Sequence, residues 1–582
     1  MPEIMSQCHQ RRWMTIIASV LLLSMPAALR AANPRAELLR LVPEDVGFCL
    51  VLQDLREHGT RLADSPLARA FRASPLGRGK EWHGMETLDE FLRKQLGVDA
   101  VRLRDEILGD AVVLAYRPGP PGKPQQEQGL ILVDARDAKL LEKLVDTINR
   151  AQQQSGEIKE LVPCEHQGEK YFRRVQEKGD DFFALRGGKL LLATKEEMLR
   201  EALGRFRESR SEESPLEKQF RTRDQEARLA SLWINPRAFD AEMQNNQKNA
   251  SGKESAFLKN FLRYWQAIDS VLVTIDLDSD VRLSLTLQAH PEAMPAAARK
   301  FFETAARPSD LLSRLPEDAF AAAAGRLRIE SLFEMIGEFL PAEDNEAFRT
   351  GVERTLGAVV GKDFFKDVVP HLGPACALCI APPPSSDKNW FPHVFVALGL
   401  GESGQRDAAV EDGLLDVLDF AVGALVVSHN QEHNTKISIR SAIQDKVKVK
   451  YLVGDQVFPP GFRPAYSMLP GYLTFGSSPD ALERCRTCLA GKAPPRDNQP
   501  LLWISVKHIR AFLKDRRDAV TEYLAQKDRI EPKEAQERLD GLLNLLEMVD
   551  RIELSQQIRP GTLNVTLRVQ AAQSLKQESA PK

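Results

Sequence analysis

The stretch Leu108–Pro118, LGDAVVLAYRP, reads as the end of a helix, a glycine turn and a buried β-strand. It returns as Leu372–Pro382, LGPACALCIAP, with leucine, glycine, alanine, leucine and proline at matching places. Around this strand the other landmarks repeat in the same order. Leu41–Asp45 opens the first half and Leu315–Asp318 the second, with Pro316 for Pro43 and Asp318 for Asp45. GLILVDA and its helix AKLLEKLVDTINRAQQQ have VFVALGL and GLLDVLDFAVGAL as counterparts. Trp503 stands for Trp233, Asp550 for Asp269 and Thr566 for Thr286. The offset runs from 264 at Leu108/Leu372 to 281 at Asp269/Asp550, far too long a period for a solenoid.

The pattern predicts a tandem duplication into two homologous lobes. Lobe one is expected over residues 33–290, a linker over 291–310 and lobe two over 311–571, with a polar, disordered tail at 572–582. Hairpin-length connections between short strands, mixed with amphipathic helices, predict an α+β class whose sheets are mostly antiparallel. LILV and VVLA are apolar throughout, as central strands buried on both faces would be.

The chain of 582 residues is 43% apolar and 28% charged, with a net charge of −3. No field of that size draws in nucleic acid, and a nucleic-acid partner is not expected. Arg11 and Arg12 precede the apolar run Thr15–Leu29, and Ala31 and Ala32 follow it, the tripartite pattern of a signal peptide over residues 1–32. Pro26 and the short run argue against a span, which needs about 20 apolar residues. Export to the periplasm, the cell envelope or the medium is the expectation, with membrane association only through an uncleaved signal anchor. Cys8 precedes the apolar run, and Cys49, Cys164, Cys376, Cys379, Cys485 and Cys488 follow it, too few for a disulfide scaffold of this length.

Four motifs suggest chemistry, and the sister lobe serves as a control on each. Gly399–Gly404, GLGESG, satisfies G-x-G-x-x-G between a strand and a helix, yet its counterpart VDARDAK has no glycine. His429, Glu432 and His433, in HNQEH, match the inverted zinc-protease pattern, in which two imidazoles one helical turn apart hold the metal. The segment is expected past the end of its helix, opposite a polar loop AQQQSGE, and so to lack the helix that would align its ligands. Cys376/Cys379 and Cys485/Cys488 are C-x-x-C pairs that suggest a four-thiolate site or a redox dithiol. Cys376 and Cys379 fall on opposite faces of a strand, and their counterparts in the first half are Val112 and Ala115, so buried filler is expected. Asp276, Asp278 and Asp280 alternate at a hairpin tip without the glycine and terminal glutamate of a calcium loop. Trp233 and Trp503 are expected in the core.

The strands at Leu41–Asp45 and Leu108–Ala115, with second copies at Leu315–Asp318 and Leu372–Leu378, resemble a family of exported bacterial proteins of unknown function, many from planctomycete-like and cyanobacterial lineages. Pro374 replaces the family's aspartate in the second copy. The resemblance implies an extracytoplasmic α+β protein, with no activity, cofactor or site residue attached. The expected role is a non-enzymatic binding or scaffold module, its partner an envelope protein or a small ligand. The alternative is a zinc hydrolase built on His429, Glu432 and His433.

Overall fold

The computed structural model describes residues 34–73, 89–90, 92–94, 97–177, 179–207, 214–223, 228–277, 280–307, 309–354, 363–384, 391–401, 408–454, 457–459, 461–491 and 500–572. The signal segment, Asp278, Gly404 and the tail from residue 573 lie outside these. The class is α+β, helices with antiparallel sheet. The chain forms two compact units. Unit one runs to Asn246 and takes in Asp269–Leu287 and the last residues from Val569; unit two holds Gln247–Ile268 and Gln288–Arg568.

Unit one contributes β1 (Phe48–Gln53), β2 (Ala111–Arg117), β3 (Gln128–Asp134), β4 (Ile158–His166), β5 (Glu169–Gln176), β6 (Asp181–Arg186), β7 (Lys189–Ala193), β8 (Ala230–Ile234), β9 (Ile268–Leu277) and β10 (Asp280–Ala289). Their lateral order is β10-β9-β8-β1-β2-β3-β7-β6-β5-β4. The alternation of side chains makes the middle of this sheet two-faced. Cys49, Val51, Val113, Ala115, Leu130 and Leu132 enter one core, while Leu52, Val112 and Val133 enter another. Helix Glu196–Arg207 covers the first face with Met198, Leu199, Ala202 and Leu203. Helix Ala138–Gln154 covers the second with Leu140, Leu141 and Leu144; its N-terminus is capped by Asp137, whose side chain accepts from Leu140 N at 2.9 Å. Each buried leucine contributes about 2 kcal/mol by removal from water.

Unit two contributes β11 (Ala321–Arg326), β12 (Leu372–Ala381), β13 (His393–Leu400), β14 (Ser438–Gln444), β15 (Val447–Val453), β16 (Ala465–Leu469), β17 (Tyr472–Gly476), β18 (Pro500–Ser505), β19 (Val549–Arg559) and β20 (Thr562–Ala571). Their order is β20-β19-β18-β11-β12-β13-β17-β16-β15-β14, so each neighbour pair of unit one has a counterpart ten strands on. Register agrees too. Cys49 lies opposite Trp233 and Ala115, and Ala322 lies opposite Trp503 and Cys379. Thr194 Oγ1 accepts from Gly129 N at 2.8 Å, and Ser477 Oγ accepts from Val394 N at 2.9 Å.

The units differ where helix meets sheet. One face of unit two is a core of Ala322, Ala377, Cys379, Phe395 and Trp503, closed by helix Pro479–Ala490. On the other face, Leu378 is exposed, and helix Ala408–His433 meets the sheet through Asp419, which accepts from Tyr466 Oη at 2.9 Å and binds Lys450.

Two expectations are corrected. Residues 291–310 are not a bare linker, because helix Ala296–Ala305 packs on helix Ile329–Phe339 of unit two. Helix Gly252–Gln266, expected in lobe one, belongs to unit two as well. Tyr264 Oη donates to Glu338 Oε2 at 2.8 Å, and its ring lies 4.8 Å from Phe339. The second correction concerns HNQEH. The helix does not end before it but runs through His433, since Asn430 anchors the last turns by accepting from Ile437 N at 2.9 Å and donating to Ile437 O at 2.9 Å. Its sister AQQQ is likewise the last turn of helix Ala138–Gln154.

Candidate functional site

Unit two holds a cavity of about 880 Å³ where the Pro316–Phe320 turn, the Pro382–Pro384 segment after β12, helix Pro479–Ala490 and helix Val506–Asp515 meet. Its apolar part is Phe320 and Phe512, whose ring centroids lie 5.0 Å apart, together with the prolines. The register shows why unit two has this space. The position of Phe320 in unit one is Gly47, where a Cβ would come within 2.7 Å of the Phe239 ring and 3.1 Å of Pro118. There Phe239 fills the room and stacks on Tyr116 at 6.4 Å.

The polar part has internal order. Arg484 Nη2 donates to Asp318 Oδ1 at 2.5 Å and Nη1 to Pro382 O at 2.8 Å, tying the helix to both lining segments. His508 Nδ1 stands 3.3 Å from Ala319 O. A carbonyl only accepts, so Nδ1 carries a proton in this contact. Ser505 holds this helix start by accepting from His508 N at 3.3 Å. His393, buried at the start of β13, also lines the cavity, as do Asp480, Glu483, Thr487, Asp515 and Arg516. The arrangement suits a ligand with an apolar body and a polar end.

Cys488 also lines the cavity, and burial pushes its thiol above the usual range against the lowering effect of Arg484. Behind it, Cys379 and Cys485 sit in the core, both pushed up to about 12 by desolvation. These three thiols belong to one cluster, which the two C-x-x-C pairs did not reveal in the sequence. Cys376 faces away from Cys379 across β12 and donates to Gly325 O at 3.6 Å, so the four do not converge. High thiol pKa values leave little thiolate, the species that attacks and ligates.

His429 and His433 are brought together, with ring centroids 4.6 Å apart on one helix face, while Glu432 accepts from Ser428 Oγ at 3.0 Å. Among the described residues no group of three His, Cys, Asp or Glu side chains is placed to hold a metal. Gly399 and Gly401 serve the backbone. A Cβ on Gly399 would stand 3.0 Å from Ala375 O, and Gly401, at φ 72°, donates its N–H to His371 O at 2.9 Å. Asp276 and Asp280 are buried at the ends of β9 and β10, with Arg282 3.7 Å from Asp276. Trp233 and Trp503 are buried, and Arg551 lies over the Trp503 ring at 4.6 Å.

Sequence reasoning missed Phe320, His393, Arg484, His508 and Phe512. The signal available was the contrast between the two halves of the sequence: Phe320 for Gly47 and Arg484 for Glu201 alter size or charge at positions matched by register. No protein-family model matches the chain, and no curated protein is significantly similar to it.

Proposed function

We propose that the chain is an exported, non-enzymatic binding module made of two copies of one lobe, with its ligand site in the cavity of the second. The observation that carries this reading is the cavity itself. Its volume falls in the range of small-molecule sites, roughly 300–1,000 Å³, and it joins an aromatic and proline wall to a charged and polar rim in which Arg484 and His508 are held by hydrogen bonds. Those groups are engaged in positioning rather than proton transfer: Arg484 on Asp318, His508 on a backbone carbonyl, and Cys488 held as a thiol. The matching strand order and register support the duplication, and the apolar run behind Arg11 and Arg12 supports export.

The test uses the mature chain from Asn33. A panel of small aromatic carboxylates and amines is screened by ligand-observed NMR, followed by calorimetry. Saturable binding weakened roughly tenfold or more in Phe512→Ala supports the site. Binding indifferent to Phe512→Ala, or none across the panel, sinks it. Export is tested separately by N-terminal sequencing of the secreted protein, which should begin close to Asn33.

A further inference from the structure

Helix Ala408–His433 has no buried side chain among those described, although most of its residues are apolar. Asp419 turns its own side of the helix to the sheet, and the exposed side beginning about a quarter-turn round carries Phe420, Ala424 and Val427 at three- and four-residue spacing, with Leu425 on its far flank. Phe420 is 63% exposed, Leu425 69% and Val427 56%. Side chains of this size leave water only when something covers them, and a contiguous set of them marks an interaction surface. The sister helix of unit one shows that the fold does not require this. Ala138–Gln154 buries its leucines and presents Lys139, Lys143 and Arg150 along its length.

Charge decides what the covering group is. Exposed Asp412 and Asp416 flank the apolar stripe at one end and exposed Glu432 at the other, and the helix contains no lysine or arginine. Asp416 and Glu432 are separated by about 24 Å at 1.5 Å per residue. A second copy is the wrong partner, because antiparallel pairing about Ala424 sets Asp416 against Glu432, and parallel pairing sets each acid against itself. Lys436 does not relieve this, since Asn434, at φ 50°, turns the chain away after the helix. An anionic lipid surface is also wrong, because helices that lie on membranes present Lys and Arg on the polar face.

We infer that this face docks an amphipathic helix of another protein, about 18 residues long, with an apolar stripe ended on both sides by Lys or Arg. Apolar burial supplies the affinity, and the terminal charge pairs fix the register.

The test titrates the full mature chain into two fluorescent synthetic peptides of Leu and Ala, one with lysines at both ends and one with glutamates. The lysine-ended peptide should bind saturably, more weakly at high salt, and about tenfold more weakly to Leu425→Asp, whose folding is verified by its melting curve. The triple variant Asp412→Lys, Asp416→Lys, Glu432→Lys should exchange preference to the glutamate-ended peptide. The inference is overturned if neither peptide binds, if both bind alike, or if the triple variant keeps the original preference. It is equally overturned if Leu425→Asp abolishes self-association in sedimentation, or cosedimentation with phosphatidylcholine–phosphatidylglycerol vesicles, instead.

Discussion

Arg484 Nη2 stands 2.5 Å from Asp318 Oδ1 beside the cavity of unit two. The matching acid of unit one, Asp45, is met at the same 2.5 Å by Arg117, which comes from the strand instead of the helix and also binds Glu201. Glu201 occupies the register position of Arg484, so the carboxylate is met by an arginine from the strand in unit one and from the helix in unit two. Asp318 is 57% exposed, which screens the pair, and much of the arginine's worth rests on its bond to the Pro382 carbonyl. Arg484→Met should therefore destabilise by about 0.5–1.5 kcal/mol in urea titrations. A double-mutant cycle with Asp318→Asn should give a coupling under about 1 kcal/mol. A coupling of about 3 kcal/mol would mean that the pair is desolvated and the cavity wall far less open to water.

The buried thiols give stability a defined alkaline limb. Burial pushes the Cys379 and Cys485 thiols up to about 12 in the folded chain, from an ordinary thiol value near 9. Above about pH 9 the unfolded chain releases these protons while the folded chain keeps them. The raised pKa values therefore contribute stability that is fully present below about pH 9 and lost as pH climbs toward about 12. The loss approaches 1.4 kcal/mol per pH unit for each thiol. Urea midpoints measured from about pH 8 to about pH 11 should fall less steeply in Cys379→Ala/Cys485→Ala than in the parent. Parallel slopes would show that the thiols ionise freely in the folded state.

The central strand was legible because its signals are local. Alternating burial at Val112 and Val113 follows from strand periodicity, and Gly109 marks the bend before β2, whereas Gly373 lies inside β12. Repetition of the landmarks gave the strand succession, since pairing partners recur with the pattern. The end of the helix at HNQEH was not legible, because a polar run reads as loop unless the Asn430 bonds to Ile437 are known. The cavity was not legible either. It depends on Phe320 and Phe512 being distant in sequence and on Phe239 filling the matching space in unit one.

Gly399 and Gly401 of the dinucleotide-like motif, and Gly373 packed against Gly401, are explained by backbone approach, and substitution there should register as stability. A Cβ on Gly373 would lie 2.5 Å from Gly401 O, so Gly373→Ala should cost about 2 kcal/mol or more. Gly401→Val, at φ 72°, should cost at least about 1 kcal/mol with no change in any nucleotide affinity. Gly413→Ala is the control. It lies inside helix Ala408–His433 with nothing within 4 Å of its Cβ, and should stabilise by about 0.5–1 kcal/mol. A neutral Gly373→Ala paired with a destabilising Gly413→Ala would reverse the packing argument.

The two histidines at His429 and His433 test the alternative reading directly. Their rings face each other across one helical turn, 4.6 Å between centroids, the spacing two zinc ligands on a helix require. A catalytic zinc needs a third protein ligand and a carboxylate free to activate water. Glu432, the carboxylate of the motif, instead accepts from Ser428. With two imidazoles alone, added zinc should bind weakly, be removed by gel filtration, and lose its binding in His433→Ala without a shift in melting temperature in the metal-free protein. Zinc analysis by atomic emission on chain purified without chelators checks this. One retained zinc per chain that disappears in His429→Ala would establish a third ligand. The helix end would then be the place to assay hydrolysis.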